Sequence, residues 1–540
     1  MVVSIILDAE YMGMEERFKW FLKNCSYAKE QDYLIVTHEC IKNKLDDLLS
    51  KCEDRFYEEF EMCRLSRSDI DKLNICYIPD AFFERIYNKS ISRTDMLSRL
   101  YTEDSMEIYN YVNEFIEQEL IKREEKKPEY ILNCIHVFKF VKDIAKKYDI
   151  SIVPYVFSAI RKVHGYTQTL YMANIDNDLF NSEYAKQIYS QYDKKKHNIY
   201  NRKEILALLG KRKNIPLIPL IDYEGDNEIG VIGGGCNIIP ETFSHEKMTD
   251  DDLFYEIKNK FGNITVPVRL HPVQMDMSGV GRKHMKNDPI EFILSCRRLC
   301  TIQSQMILKA ALWNKVAVAY GKGLPYSFII QKNVDSNNVT GEADLNFLLF
   351  GYLVPDRLMF DKNYWNWRLT NPDVNSVYEK NHMEILKDLG IDYNKNGSNR
   401  YKMLLENRDL TQFELNQVLN GKINISKIQC LLSKFVLINQ YGERREVYTL
   451  NAIKRNNVIE TSVEVDNALI KYAKIGVFLL DGVDGEIAIE KLRINNKDYN
   501  IPSPRYYKKG EQTIELKNLP NEMNINIYIE WIYKNFDTIL

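Results

Sequence analysis

The sequence predicts an α/β protein with two successive parallel-sheet blocks and a C-terminal antiparallel β-sandwich. Three observations predict it. Near-continuous apolar runs alternate with amphipathic helical patterns over the first 200 residues. The same alternation returns between residues 215 and 322. After about residue 430 the pattern changes to apolar–polar alternation broken by Asp-Gly turns.

In the first block, Val2–Leu7 is an apolar, β-branched run without the basic flank of a signal peptide, so it reads as a buried strand. Tyr33–Thr37 and Ile152–Phe157 read the same way. Val137–Lys147 is an amphipathic helix, and Glu114–Lys127 is a charged helix with a solvated face. The polar, basic segment 193–203 is expected to link the blocks. In the second block, Ile215–Ile221 and Ile264–Leu270 are expected strands. Asp288-Pro289 opens a helix. Leu299–Ile302 is a strand, Ser304–Leu312 a helix with Ser304 as its N-cap, and Val316–Tyr320 the next strand. Residues 341–420 read as helical and aromatic-rich. The runs Phe435–Asn439, Ile475–Leu480, Glu486–Ile494, Gln512–Leu516 and Ile525–Trp531 are the strands of the β module.

Composition bounds the function. The chain has 540 residues, enough for three or four domains. Lys plus Arg number 73 against 76 Asp plus Glu, a net charge of −3, which excludes a general nucleic-acid binder. With 45% apolar and 28% charged residues, disordered, collagenous and disulfide-scaffold classes are excluded. The ten cysteines contain no CxxC pair and read as reduced thiols of a cytoplasmic protein. No apolar stretch approaches the ~18 residues of a membrane span, which leaves peripheral attachment to the inner face of a membrane compatible with the sequence.

Candidate chemistry lies in the second block, because ligands of open α/β sheets bind at the carboxyl ends of strands. His271 stands where the strand 264–270 ends, with Arg269 two residues earlier. Ser304, followed by Gln305, stands where the next strand turns into a helix. A histidine and a hydroxyl so placed can converge on one phosphate; the competing reading is a structural histidine and an ordinary helix cap. Asp222, Glu224 and Asp226 follow 215–221 and are either a base or nucleophile for an activated sugar or a polar turn. Gly233-Gly234-Gly235 lacks the Lys-Ser/Thr of a phosphate loop. Asp176-Asn177-Asp178 is either a metal-binding triplet or a loop, with the loop favoured. The histidines show no metal-ligand spacing. Trp365 and Trp367 either stack on sugar or pack in a core.

The string VRLHP (268–272), with DPIEFILSCRRLCTIQSQMILKAALWNKVAVAYGK (288–322), resembles the capsular polysaccharide synthesis glycosyltransferases, which include the retaining β-Kdo transferases. The matching positions are His271-Pro272, Ser304, Ala311-Leu312 and Gly321. The resemblance implies a GT-B fold, two Rossmann-like domains facing across a cleft. It implies an N-terminal, acceptor-side domain over 1–195 and a nucleotide-sugar domain over 200–365. The resemblance covers roughly residues 150–385. Beside it, the residue pattern suggests a helical connection over 366–428 and a β-sandwich over 430–540, to which fold-level analogy assigns glycan binding or docking on the acceptor. The resemblance implies transfer of a sugar from a nucleotide-activated donor, CMP-linked in the Kdo enzymes, to a surface polysaccharide or lipid-linked glycan, without metal or resident cofactor. His271, with Arg269, Pro272, Ser304 and Gln305, would hold the donor phosphate, and Asp226, or else Asp222, would act at the anomeric carbon. The family carries Glu five residues after the serine, where it binds ribose; this chain has Lys309, which has no acceptor to offer. Two other functions fit the sequence: a non-catalytic carbohydrate-binding assembly protein on the same scaffold, and a sugar-nucleotide epimerase.

Overall fold

The computed structural model describes residues 1–391 apart from 8–13, 53–56, 58–59, 91–92, 103–104, 198–199, 211–214, 235–247, 263, 270–288, 322 and 331–332; beyond 429 it describes the strands named below. The first sheet has seven strands: β1 (Val2–Ile6), β2 (Tyr33–His38), β3 (Asn74–Ile78), β4 (Ile131–Cys134), β5 (Ile152–Phe157), β6 (Leu170–Ala173) and, from far along the chain, β11 (Val354–Pro355). Their order is β11-β6-β5-β4-β1-β2-β3. The five from β3 to β5 are parallel, and β6 and β11 add antiparallel strands at one edge. The order 3-2-1-4-5 is that of a doubly wound, Rossmann-like half, with its crevice between β1 and β4. Every residue of β1 and β2 is buried, because helices cover both faces. Met14–Ala28 contributes to one core layer, and Met106–Lys122 and Lys139–Tyr148 to the other.

The second sheet is formed by β7 (Asn227–Ile232), β8 (Val268–Arg269), β9 (Cys296–Thr301) and β10 (Val316–Ala319), all parallel, in the order β10-β9-β7-β8. One face packs on Asp250–Phe261. The other packs on a core that takes in helices Arg202–Leu209, Pro289–Leu294, Met306–Leu312 and Val374–Asp388.

Several sequence expectations change here. Ile215–Ile221 is no strand but part of a 3-10 helix, Ile215–Asp222. Pro216 and Pro219 cannot donate to a ladder, which bars the segment from a sheet interior. The strand in its place is NEIGVI, 227–232, whose glycine faces a neighbour: a Cβ on Gly230 would lie 2.7 Å from Cys296 Sγ. Of the expected strand 264–270, only Val268–Arg269 pairs, at the end of β7. The helix after β9 starts at Met306 with Gln305, not Ser304, in the cap position. The chain returns to the first sheet at Val354, and Leu358, Phe360, Tyr364 and Trp365 sit in that sheet's core. Trp365 is fully buried and its indole N–H donates to the Met359 carbonyl at 2.7 Å. Trp367 is half-buried, with the Lys380 ammonium 4.2 Å from its ring centre. Both tryptophans are therefore packing groups. Asp176 is a turn residue at φ 54°, accepting from Ile152 N–H and the Ser151 hydroxyl, which is the loop reading.

The C-terminal strands run antiparallel in two sheets. Cys430–Asn439, Arg444–Ala452, Ile470–Leu479 and Gln512–Lys517 form one; Asn457–Glu464, Glu486–Ile494, Lys497–Tyr499, Tyr507–Lys508 and Asn524–Lys534 form the other. The expected Asp-Gly turns at 481–485 and residues 392–428 of the helical connection lie outside the described residues. The eight cysteines whose side chains are described are unbridged. Among the described residues no helix is long and apolar enough to cross a membrane.

One turn sets the entry to β7. Gly225 has φ +96°, and a Cβ there would lie 2.6 Å from the Cys296 carbonyl carbon. Backbone cannot step aside as a side-chain tip can. Gly225→Ala is expected to cost roughly 1–3 kcal/mol, the usual cost of such strain. Urea unfolding measures it, and an unchanged midpoint would contradict the close approach.

Candidate functional site

The carboxyl ends of the second sheet carry most of the sequence candidates. β7 ends in Gly233-Gly234. Gly233 N–H donates to the Arg269 carbonyl at 2.9 Å, and Gly234 N–H to the Asp250 carboxylate at 2.9 Å. Gln303, just past β9, lies over Gly234: a Cβ there would come within 2.6 Å of Gln303 Cγ. Past β10, a Cβ on Gly321 would lie 2.6 Å from the Ile302 carbonyl oxygen, and one on Gly323 3.4 Å from Gln303 Cβ. Glycine is thus required at Gly234 and Gly321 because Gln303 and the Ile302 backbone pack where a side chain would begin, which draws the strand ends close together around Gln303. Sequence reasoning missed Gln303 and Asp250. The signal was the glycine run, set aside for lacking a phosphate-loop motif, whereas its physical reason is close approach.

Ser304 is half-buried; its N–H donates to the Thr301 hydroxyl at 2.9 Å, and its Oγ accepts from Met306 N–H at 3.4 Å. Gln305 is half-buried, and its Oε1 is enclosed with no hydrogen-bond partner. Arg269 is half-buried at the end of β8. β8 and β9 flank β7, so Arg269 and Ser304 lie on one rim, about two strand spacings or ~10 Å apart. His271 and Pro272, two and three residues after Arg269 in the sequence, lie outside the described residues.

Lys309 lies elsewhere. It is 3% exposed, its ammonium is 3.1 Å from His164 Nδ1 and 5.5 Å from the centre of the Tyr166 ring. An ammonium only donates, so the imidazole nitrogen accepts. His164 belongs to the short 3-10 turn Lys162–His164, which leaves the carboxyl end of β5. This contact joins the helix that follows β9 to the turn that follows β5.

The acidic candidates are not brought there. Asp222 and Asp226 precede β7 and stand at its amino end, and a six-residue strand separates that end from the Ser304 rim by roughly 20 Å. Asp222 is largely exposed and pairs with Lys203 at 3.0 Å. The structure groups Arg269, Gln303, Ser304 and Gln305 and separates Asp222, Glu224 and Asp226 from them. Among the described residues no three His, Cys, Asp or Glu side chains cluster as metal ligands would.

No family model matches the chain, and no curated protein matches it. Among solved structures, the chain is similar to the UDP-GlcNAc 2-epimerase of Methanocaldococcus jannaschii in complex with UDP-GlcNAc and UDP. The identity is 13%, the match covers 64% of this chain and 98% of that one, and the TM-score is 0.23, at which the likeness carries no argument.

Proposed function

We propose that the chain is a glycosyltransferase that takes a nucleotide-activated sugar at the carboxyl ends of the second sheet and transfers it to a glycan or lipid-linked glycan. The observation that supports this reading is the grouping of Arg269, Gln303 and Ser304 at the carboxyl ends of the parallel second sheet. Ligands of parallel sheets bind at such ends. Arg269 and Ser304 supply a cation and a hydroxyl for the donor phosphate, with Gln305 and the neighbouring His271-Pro272 completing the set. In the transfer, the bond between the anomeric carbon and the donor phosphate oxygen breaks and a bond to an acceptor hydroxyl oxygen forms. The acceptor proton leaves to a base, and the nucleotide leaves with its phosphate. Asp226 and Asp222 have no place in this machinery, because they lie at the other end of β7. The acceptor belongs to the crevice of the first sheet, and the C-terminal β module, in this reading a carbohydrate-binding sandwich, holds the rest of the glycan.

Lys309 favours a second reading, a non-catalytic glycan-binding protein on the same scaffold. Its side chain is spent on His164 and offers ribose no acceptor. Incubation with CMP-, UDP- and GDP-sugars decides between the readings. Nucleotide release that requires a glycan acceptor supports transfer. Release without acceptor supports an epimerase or hydrolase, and glycan binding with no release supports the second reading. Arg269→Ala is expected to weaken nucleotide-sugar binding about 10–100-fold, the worth of one charge-assisted hydrogen bond of ~1.5–3 kcal/mol. Titration calorimetry reads it, and an unchanged affinity removes Arg269 from the site.

A further inference from the structure

A groove enclosing about 530 Å³ opens at the amino ends of β7 and β10, away from the donor rim. That volume falls within the ~300–1,000 Å³ of small-molecule sites. One wall is Asn201–Lys203, where the chain enters the second block. The other is Val339–Glu342, where it starts back toward the first sheet. Ile221, Asp222 and Asn314 close the space between them.

We propose that this groove is a second ligand site, for a small neutral polyhydroxylated molecule of monosaccharide or disaccharide size. Its charges are already matched from within. Lys203 pairs with Asp222 at 3.0 Å, and the Glu342 carboxylate accepts from Arg202 N–H at 3.0 Å. The Arg202 guanidinium donates to the carbonyls of Ala311 and Thr340. Among the described residues that line it, two cations stand beside two carboxylates, so no net charge draws a phosphate or a metal. What the groove offers is a mixture: the Asn201 amide NH2, the Asn314 carboxamide, carboxylate oxygens at Asp222 and Glu342, and one apolar surface, Val339, above the buried Ile221. Val339 is 40% exposed and gives the groove an apolar face between polar walls. A sugar ring matches that mixture, since its C–H face packs on the valine while its hydroxyls both donate and accept.

The test is titration calorimetry of the full chain with glucose, galactose, N-acetylglucosamine and maltose, repeated on Val339→Glu and Asp222→Ala. Both positions are exposed, and unchanged thermal midpoints will show that both variants fold. At least one sugar is expected to bind saturably, with affinity at least tenfold weaker in each variant. The proposal is overturned if no sugar binds, if binding is the same in both variants, or if CMP, UDP or inorganic phosphate displaces the sugar. Displacement by a nucleotide would place the sugar at the donor rim instead, so this outcome is separable from failure of the transferase reading.

Discussion

Asp356→Ala lowers stability by about 3–5 kcal/mol, the usual result of stranding one partner of a buried ion pair. Lys23 is 1% exposed and Asp356 3%. The Lys23 ammonium lies 2.7 Å from Asp356 Oδ2, and it also donates to the carbonyls of Phe60 and Glu61 at 2.7 and 3.0 Å. Asp356 further accepts from the hydroxyls of Tyr171 at 2.7 Å and Tyr27 at 3.1 Å. Burial first, and the Asp356 charge second, push both phenols well up, which keeps them donors. Deleting the carboxylate leaves a buried ammonium and two phenols without the acceptor they share, and the remaining carboxylate nearby, Glu61, is already paired with Lys162. Asp356 sits just past β11, so this cluster ties the returning chain to the first sheet. Urea unfolding followed by tryptophan fluorescence measures the loss. The double variant Lys23→Met/Asp356→Leu should recover much of it, because an apolar pair replaces the charge pair. A loss below about 1 kcal/mol in Asp356→Ala, the range of an exposed ion pair, contradicts the buried pair.

The second large effect depends on pH. Lys315 is 1% exposed beneath Tyr223, donating to its carbonyl with the ring centre 5.4 Å away. Burial lowers its pKa from 10.5 to about 8, against the opposing pull of Cys296 and Glu224. In the unfolded chain a lysine titrates near ~10.4. Between about pH 8 and 10.4 the unfolded chain therefore holds a proton that the folded chain has released, and Lys315's contribution to stability rises with pH. Across that window the rise is roughly 3 kcal/mol, at ~1.4 kcal/mol per pH unit. Buried tyrosines and cysteines titrate in the same range with the opposite sign, so the comparison is wild type against Lys315→Met, in which they cancel. The stability difference should move toward wild type between pH 7.5 and 10.5. A pH-independent difference would contradict a desolvated ammonium.

What the sequence made legible was local. Val2–Leu7, Tyr33–Thr37, Ile152–Phe157 and Val316–Tyr320 read as strands because β-branched apolar runs have no other use at that length. The helix over Pro289–Leu294 followed from Pro at its first turn. The misreadings involve partners remote in sequence. Ile215–Ile221 looked like a strand by hydropathy, yet its prolines decide by hydrogen bonding. Asn227–Ile232 is not among the strands expected from sequence, and its place in the sheet depends on Gly230 fitting against Cys296 of β9. Val354–Pro355 joins the first sheet by pairing with Tyr171 and Leu170, about 180 residues earlier, which no local pattern reports. At the site, residue type pointed to Arg269 and Ser304. The separation of Asp222 and Asp226 from them follows from strand direction, and the contact of Lys309 with His164 from the meeting of the helix after β9 with the turn after β5.

The proposed transfer requires that the carboxyl ends of the second sheet bind a nucleotide sugar. The most direct measurement is a thermal-shift screen of the full chain against CMP, UDP, GDP and their sugars, with His271→Ala and Lys309→Glu alongside. A ligand at one hundred times its dissociation constant adds about 2.7 kcal/mol. A shift with one nucleotide and its sugar, lost in His271→Ala, is the predicted result. No shift with any nucleotide in wild type, together with a gain for CMP in Lys309→Glu, would contradict it and mark a transferase scaffold that no longer takes a donor.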